Sequence, residues 1–132
     1  IFMVINVISL LLVILLFLFS GTLIINLYGS QYIRSIAVLQ VHVFGMFFVF
    51  MGFVSNYIYI VENKEKSLLM RAIIGLLLNI LLNSFMIRKY GISGAAVATV
   101  ITQIIVSLMF DIFIKDMRWL FRLKLKSLIF CK

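Results

Sequence analysis

Proline is absent from the 132 residues, and cysteine occurs once, at Cys131. A lone cysteine excludes an internal disulfide and cannot by itself build a thiolate metal site. Acidic residues number four, against twelve Lys and Arg. With so few carboxylates, no acid cluster falls in the middle of an apolar run, and no self-contained proton or sodium site is visible. No nucleophile stands beside a base partner, no HExxH-type ligand set occurs, and no Gly-rich phosphate loop follows a strand. Nothing here supports an enzyme, and no cofactor is implied.

Apolar residues are abundant. They make up 65% of the chain, and mean hydropathy is +1.27. A soluble domain of this size cannot hide so much apolar surface. Runs of about 20 apolar residues match the roughly 30 Å hydrocarbon core of a bilayer. Only helices and closed barrels satisfy their own backbone polar groups in lipid. A barrel needs short alternating segments, and the long continuous runs exclude it. The expected class is therefore an all-α integral membrane protein.

Four spans are expected, near Phe2 to Ile25, Ala37 to Val61, Leu68 to Ile87 and Ile92 to Ile114. They divide the chain into a four-helix membrane region, residues 1–114, and a basic amphipathic tail, residues 115–132. The formal charge is +8. The basic residues cluster between and after the spans, so topology explains them better than nucleic acid does. Lys64, Lys66, Arg71, Lys115, Arg118, Arg122, Lys124, Lys126 and Lys132 lie on one side. Arg34, Arg88 and Lys89 lie on the other. This asymmetry places the N-terminus, "ENKEK" and the tail in the cytoplasm, with "RKYG" outside. In the tail, Trp119, Phe121, Leu125 and Leu128 alternate with Arg118, Arg122, Lys124 and Lys126. That pattern reads as a positive-inside stop signal, or as an in-plane interfacial helix on anionic headgroups.

Helix association in lipid relies on small residues that let backbones approach. Two such rows run along the fourth span. One is Gly91, Ala95, Thr99 and Gln103. The other is Gly94, Ala98 and Thr102. Gly91 also suits a left-handed end to the third helix. Arg71, Gly75, Asn79 and Asn83 form a slanting row on the third span. Amide groups left unpaired in lipid are costly, so this row faces either partner helices or a hydrated cavity. On the second span, His42, Gly45, Val49, Gly52 and Asn56 share one face, with His42 expected as a hydrogen-bonded packing residue. Arg71 is expected to snorkel at the end of its span, and Asp111 to pair with Lys115 at i, i+4.

Asn79, Leu82 and Asn83, then Tyr90-Gly91, then Ile92-Ser93-Gly94-Ala95-Ala96-Val97-Ala98-Thr99 resemble a signature of bacterial polysaccharide exporters. These are the O-antigen and capsule repeat-unit flippases of the MATE-like superfamily. "LYGSQYIRSIAVLQV", Leu27 to Val41, is similar to that family's Leu-Tyr-Gly turn. One departure is Arg88-Lys89, where the family often carries proline. The resemblance implies the C-terminal part of a two-half transporter fold in the bacterial inner membrane, with its C-terminus cytoplasmic. It also implies alternating-access movement of an undecaprenyl-pyrophosphate-linked oligosaccharide. Its partners are then that lipid-linked sugar, membrane lipids and the missing N-terminal helices, with no nucleic acid. Arg71, Asn79, Asn83 and Gln103 become substrate-cavity candidates. Gly91, Gly94, Ala95, Ala98, Thr99 and Thr102 become helix-packing positions. The chain opens on Ile inside an apolar run, so a fragment of a longer protein is expected. The alternatives are a drug/cation antiporter or lipid II flippase fragment of the same fold, or a small four-helix assembly or anchoring protein. A small multidrug exporter fits the size, but the first span lacks its carboxylate.

Overall fold

A computed structural model of the protein describes residues 2–129. Cys131 and Lys132 lie outside the described residues. Helix α1 spans Phe2–Tyr28 and α2 spans Ser35–Val61, with a 3-10 turn at Ser30–Tyr32 between them. Helix α3 runs Glu65–Ile104 and continues through a π-helical turn, Ile105–Met109, into the short α4, Phe110–Phe113. A second 3-10 turn, Lys115–Met117, leads into α5, Arg118–Ile129. Among the described residues there is no strand. Three helical runs are long and apolar enough to cross a membrane, the third being Glu65–Phe113.

That third run contains two of the expected spans. Its helical geometry breaks at a single residue, Gly91, with φ 61° and ψ −140°. The two limbs, 65–90 and 92–104, fold back on each other as an antiparallel hairpin. Residues nearly equidistant from Gly91 meet: Asn79 Nδ2 donates to Thr102 Oγ1 at 3.3 Å. Further along, a Cβ at Gly75 would lie 3.0 Å from a methyl of Val106. Positive φ is cheap only for glycine, so Gly91 makes the break in a chain without proline. Gly94 makes the hairpin tight. A Cβ there would fall 2.1 Å from the carbonyl oxygen of Met86 on the opposite limb.

The second limb also packs on α2. Virtual Cβ atoms at Gly45 and Gly52 lie 3.1 Å from Val100 Cγ2 and from Ser107 Oγ, respectively. Gly94, Ala96, Ala98 and Thr102 are buried, whereas Ala95 and Thr99 are half-buried. The row through Gly94 is thus the packed one. Gly91, at the head of the other row, is exposed at the break.

Helix α1 shows where the solvent is. Its buried positions are Phe2, Asn6, Ser9, Val13, Ser20 and Ile24, stepping by about one or two turns along one seam. Three of the six are polar. Gln40 on α2 donates to Ser20 Oγ at 3.1 Å across this seam. The outward face is apolar, with Val4 at 60%, Leu11 at 62% and Leu18 at 71% exposure. This is inside-out relative to a water-soluble helix and is compatible with embedding in a membrane.

Candidate functional site

Polar side chains converge at the end of the bundle that holds Val61, Glu65 and α5. The sequence of α2 supplies two of them. Its face through Gly45, Val49, Gly52 and Asn56 continues three residues on to Tyr59, which is fully buried. Tyr57, two residues earlier, points away and is 67% exposed. From α3 comes Arg71, 3% exposed. Its Nη1 donates to Asn56 Oδ1 at 3.2 Å, and its guanidinium carbon lies 5.9 Å from the centre of the Tyr59 ring. Tyr59 Oη donates to Asp111 Oδ1 at 2.9 Å.

The remaining partner arrives by a reversal of the chain. Ile114 is extended, φ −98° and ψ 108°, and ends α4. α5 then doubles back, and Met117 of the preceding turn with Leu120 and Lys124 of α5 forms a buried row. Lys124 Nζ donates to Asp111 Oδ2 at 2.5 Å and also to the Ser107 carbonyl in the π-helical turn. Both side chains of this ion pair have zero exposure. Burial pushes the Lys124 ammonium below its ordinary value, and Asp111 pulls the other way. Around the network pack Met51, Val54, Met117 and Leu120. Single π-helical turns inside helices often mark functional positions.

Two sequence-based expectations are corrected here. Arg71 does not snorkel. Asn56 and Tyr59 give its head a closer polar partner than the interface does, so it lies inside the bundle. Asp111 does not pair with Lys115, which is exposed. The kink at Ile114 turns Lys115 outward and brings Lys124 in. The inner face of α5 is therefore not the one set by Trp119 and Leu125, which are 43% and 36% exposed. Outside the network, Lys64 Nζ meets Asp116 Oδ2 at 2.7 Å. That hydrogen bond holds Lys64 above and Asp116 below their ordinary values.

No protein-family model, curated protein or solved structure matches the chain. The placement of the candidate residues therefore comes from geometry alone. Of the four cavity candidates, only Arg71 belongs to the buried network. Asn79 bonds to Thr102 and accepts from Asn83 Nδ2 at 2.8 Å. Asn83 Oδ1 is buried without a hydrogen-bond partner. Gln103 stands on the half-buried row with Ala95 and Thr99. His42, expected in packing, is exposed and lines a 410 Å³ groove with Tyr28 and Tyr32 at the opposite end of the bundle. Sequence pattern alone does not mark Tyr59 or Lys124 as site residues, although the α2 row extended by one step reaches Tyr59. Among the described residues no group of three His, Cys, Asp or Glu side chains gathers as a metal site would require.

The network holds two cations, Arg71 and Lys124, and one carboxylate. The other acids, Glu62, Glu65 and Asp116, are exposed. With both basic groups protonated, one positive charge is left over inside an apolar bundle. Such a charge is expensive without a partner. Because the network ties α2, α3, α4 and α5 together, any relative movement of these helices must re-pair it.

Proposed function

We propose that this chain is the C-terminal membrane portion of a transporter that moves lipid-pyrophosphate-linked oligosaccharides between leaflets of the bacterial inner membrane. The basic end of the bundle faces the cytoplasm in this reading. The observation that carries it is the pair of buried cations, Arg71 and Lys124, in a network that holds one carboxylate. A pyrophosphate headgroup faces a prohibitive cost in hydrocarbon, and fixed positive charge inside a bundle offsets part of it. The resemblance of Asn79 to Thr99 to the polysaccharide exporters points the same way. Gly91 and Gly94 of that stretch form the hairpin whose first limb carries Arg71 and whose second leads into α4 and Asp111. The packed network then acts as one closed arrangement of an alternating-access cycle, with Arg71 freed when the helices separate.

The test is leaflet transfer of a fluorescent undecaprenyl-pyrophosphate oligosaccharide in vesicles containing the protein at its native length. Arg71→Gln should slow transfer about tenfold or more, equivalent to losing about 1.4 kcal/mol of charged contact. Lys89→Gln, at the other end of the bundle, should leave it unchanged. Wild-type rates with Arg71→Gln, in protein that melts normally, would dismiss the proposal. The buried Asp111 favours a second reading, cation export. Uptake of a cationic dye that disappears in Asp111→Asn, with no lipid-linked sugar moved, would establish that instead.

A further inference from the structure

Two apolar clefts open beside α5 at the basic end of the bundle. The first, 580 Å³, lies between Phe2, Val54, Ile58 and Leu123, with Lys126 in its wall. The second, 330 Å³, lies between Val7, Leu10, Leu11 and Phe47. Met3 and Ser127 line both. The junction is built. Asn6 Nδ2 donates to Ser127 Oγ at 2.9 Å, and Ser127 Oγ donates to the Lys124 carbonyl at 2.8 Å. Both volumes fall within the range of ligand pockets, about 300–1,000 Å³.

The walls indicate what kind of occupant fits. Transmembrane helices meet through small residues, and in this protein the close contacts are at Gly45, Gly52, Gly75 and Gly94. The clefts carry no Gly or Ala. Apart from Ser127 and Asn6, which bond to each other, they are walled by long, branched or aromatic side chains, which suit a flexible hydrocarbon better than a helix. The rest of the outward face of α1 is equally apolar, as lipid contact requires. The one charged side chain in their walls is Lys126, which is exposed. An exposed cation in the wall and two adjacent apolar channels that share Met3 and Ser127 match a phosphate carrying two acyl chains.

We infer that this double cleft is a specific site for one anionic diacyl glycerophospholipid, with its phosphate at Lys126 and its two chains in the two channels. The site rests on membrane embedding and is independent of what the protein transports. The lipid fills the space between α1 and α5. It thereby braces the helix that carries Lys124 into the buried network.

The test is native mass spectrometry of the purified protein, released from nanodiscs of equal parts phosphatidylglycerol and phosphatidylcholine. One phosphatidylglycerol should remain bound per chain through detergent washing. Lys126→Gln should weaken its retention roughly fivefold, the worth of one surface cation near an anionic lipid. Val7→Trp, at a position already exposed and therefore tolerant, should displace the lipid by filling the second channel. Lys89→Gln, at the far end, should change nothing. Equal retention of phosphatidylcholine would overturn the site. So would phosphatidylglycerol retention that ignores both Lys126→Gln and Val7→Trp, or a second protein chain found in place of the lipid.

Discussion

Asp111→Leu is expected to destabilise the bundle by about 3–5 kcal/mol, the cost of breaking a buried ion pair by removing one partner. It should be the most damaging single exchange in the network, because two buried cations then have no carboxylate at all. Asp111 is the one buried carboxylate, and it accepts from both Tyr59 and Lys124. Removing it strands the Lys124 ammonium at zero exposure and leaves the Arg71 guanidinium with only Asn56 and the Tyr59 ring. Lys124→Met should cost less. The carboxylate it leaves behind keeps the Tyr59 hydroxyl and the field of Arg71. The double exchange Asp111→Leu with Lys124→Met should regain part of the loss, since an apolar pair can replace a buried ion pair with little penalty. Trp119 on α5 provides the readout, through fluorescence-detected thermal unfolding in detergent. Asp116→Leu is the reference, because its partner Lys64 is exposed and surface pairs contribute little. If Asp111→Leu melts where Asp116→Leu does, the buried network contributes nothing to holding α5.

The helices were legible because their signals are local. Apolar run length, the Tyr-Gly turns and the row of small residues each depend on neighbours within a turn or two. Gly91 illustrates this well: a glycine after a basic turn, in a chain without proline, marks a reversal by itself. The centre of the site depends on information that is not local. Helical spacing pairs Asp111 with Lys115, a rule that holds only while the helix continues. The break at Ile114 has neither glycine nor proline to announce it. It is imposed by the burial of Met117 and Leu120 together with the pull of a carboxylate thirteen residues back from Lys124. Lys124 sits four residues after Leu120, on the apolar side of α5, and a basic residue in that register was a usable sign of inward pairing. Among the other tail cations, the same residue reads only as a topology signal. The snorkelling expectation for Arg71 fails for a similar reason. Snorkelling assumes that the interface is the best available partner, whereas Asn56 and Tyr59 on another helix are closer.

Gly94→Ala should be the most disruptive change in the hairpin, with a different signature from Gly91→Ala. At Gly94 the obstacle is contact. The added Cβ would lie 2.1 Å from the Met86 carbonyl oxygen and 2.6 Å from its carbon. Backbone cannot swing aside as a side-chain tip can, so the two limbs must separate. Overpacking of this kind costs about 1–3 kcal/mol even where side chains can yield, and the rigid partner here puts the expectation at the top of that range or above it. At Gly91 the space is open, with nothing within 4 Å of a Cβ, and the obstacle is the backbone itself at φ 61°. Residues held in sparsely populated backbone regions cost about 1–3 kcal/mol each. Asparagine tolerates the left-handed region only near positive ψ, and ψ here is −140°. Gly91→Asn should therefore fare no better than Gly91→Ala. A cysteine pair replacing Asn79 and Thr102, whose side chains meet across the hairpin at 3.3 Å, separates the two effects. Cross-linking of that pair should fall sharply with Gly94→Ala, because the limbs part. With Gly91→Ala it should persist in whatever fraction folds, because the strained turn still brings the limbs together. Undiminished cross-linking in the Gly94→Ala protein would mean that the limbs do not approach at Met86, and the close-packed hairpin that positions Arg71 opposite Asp111 would have to be abandoned.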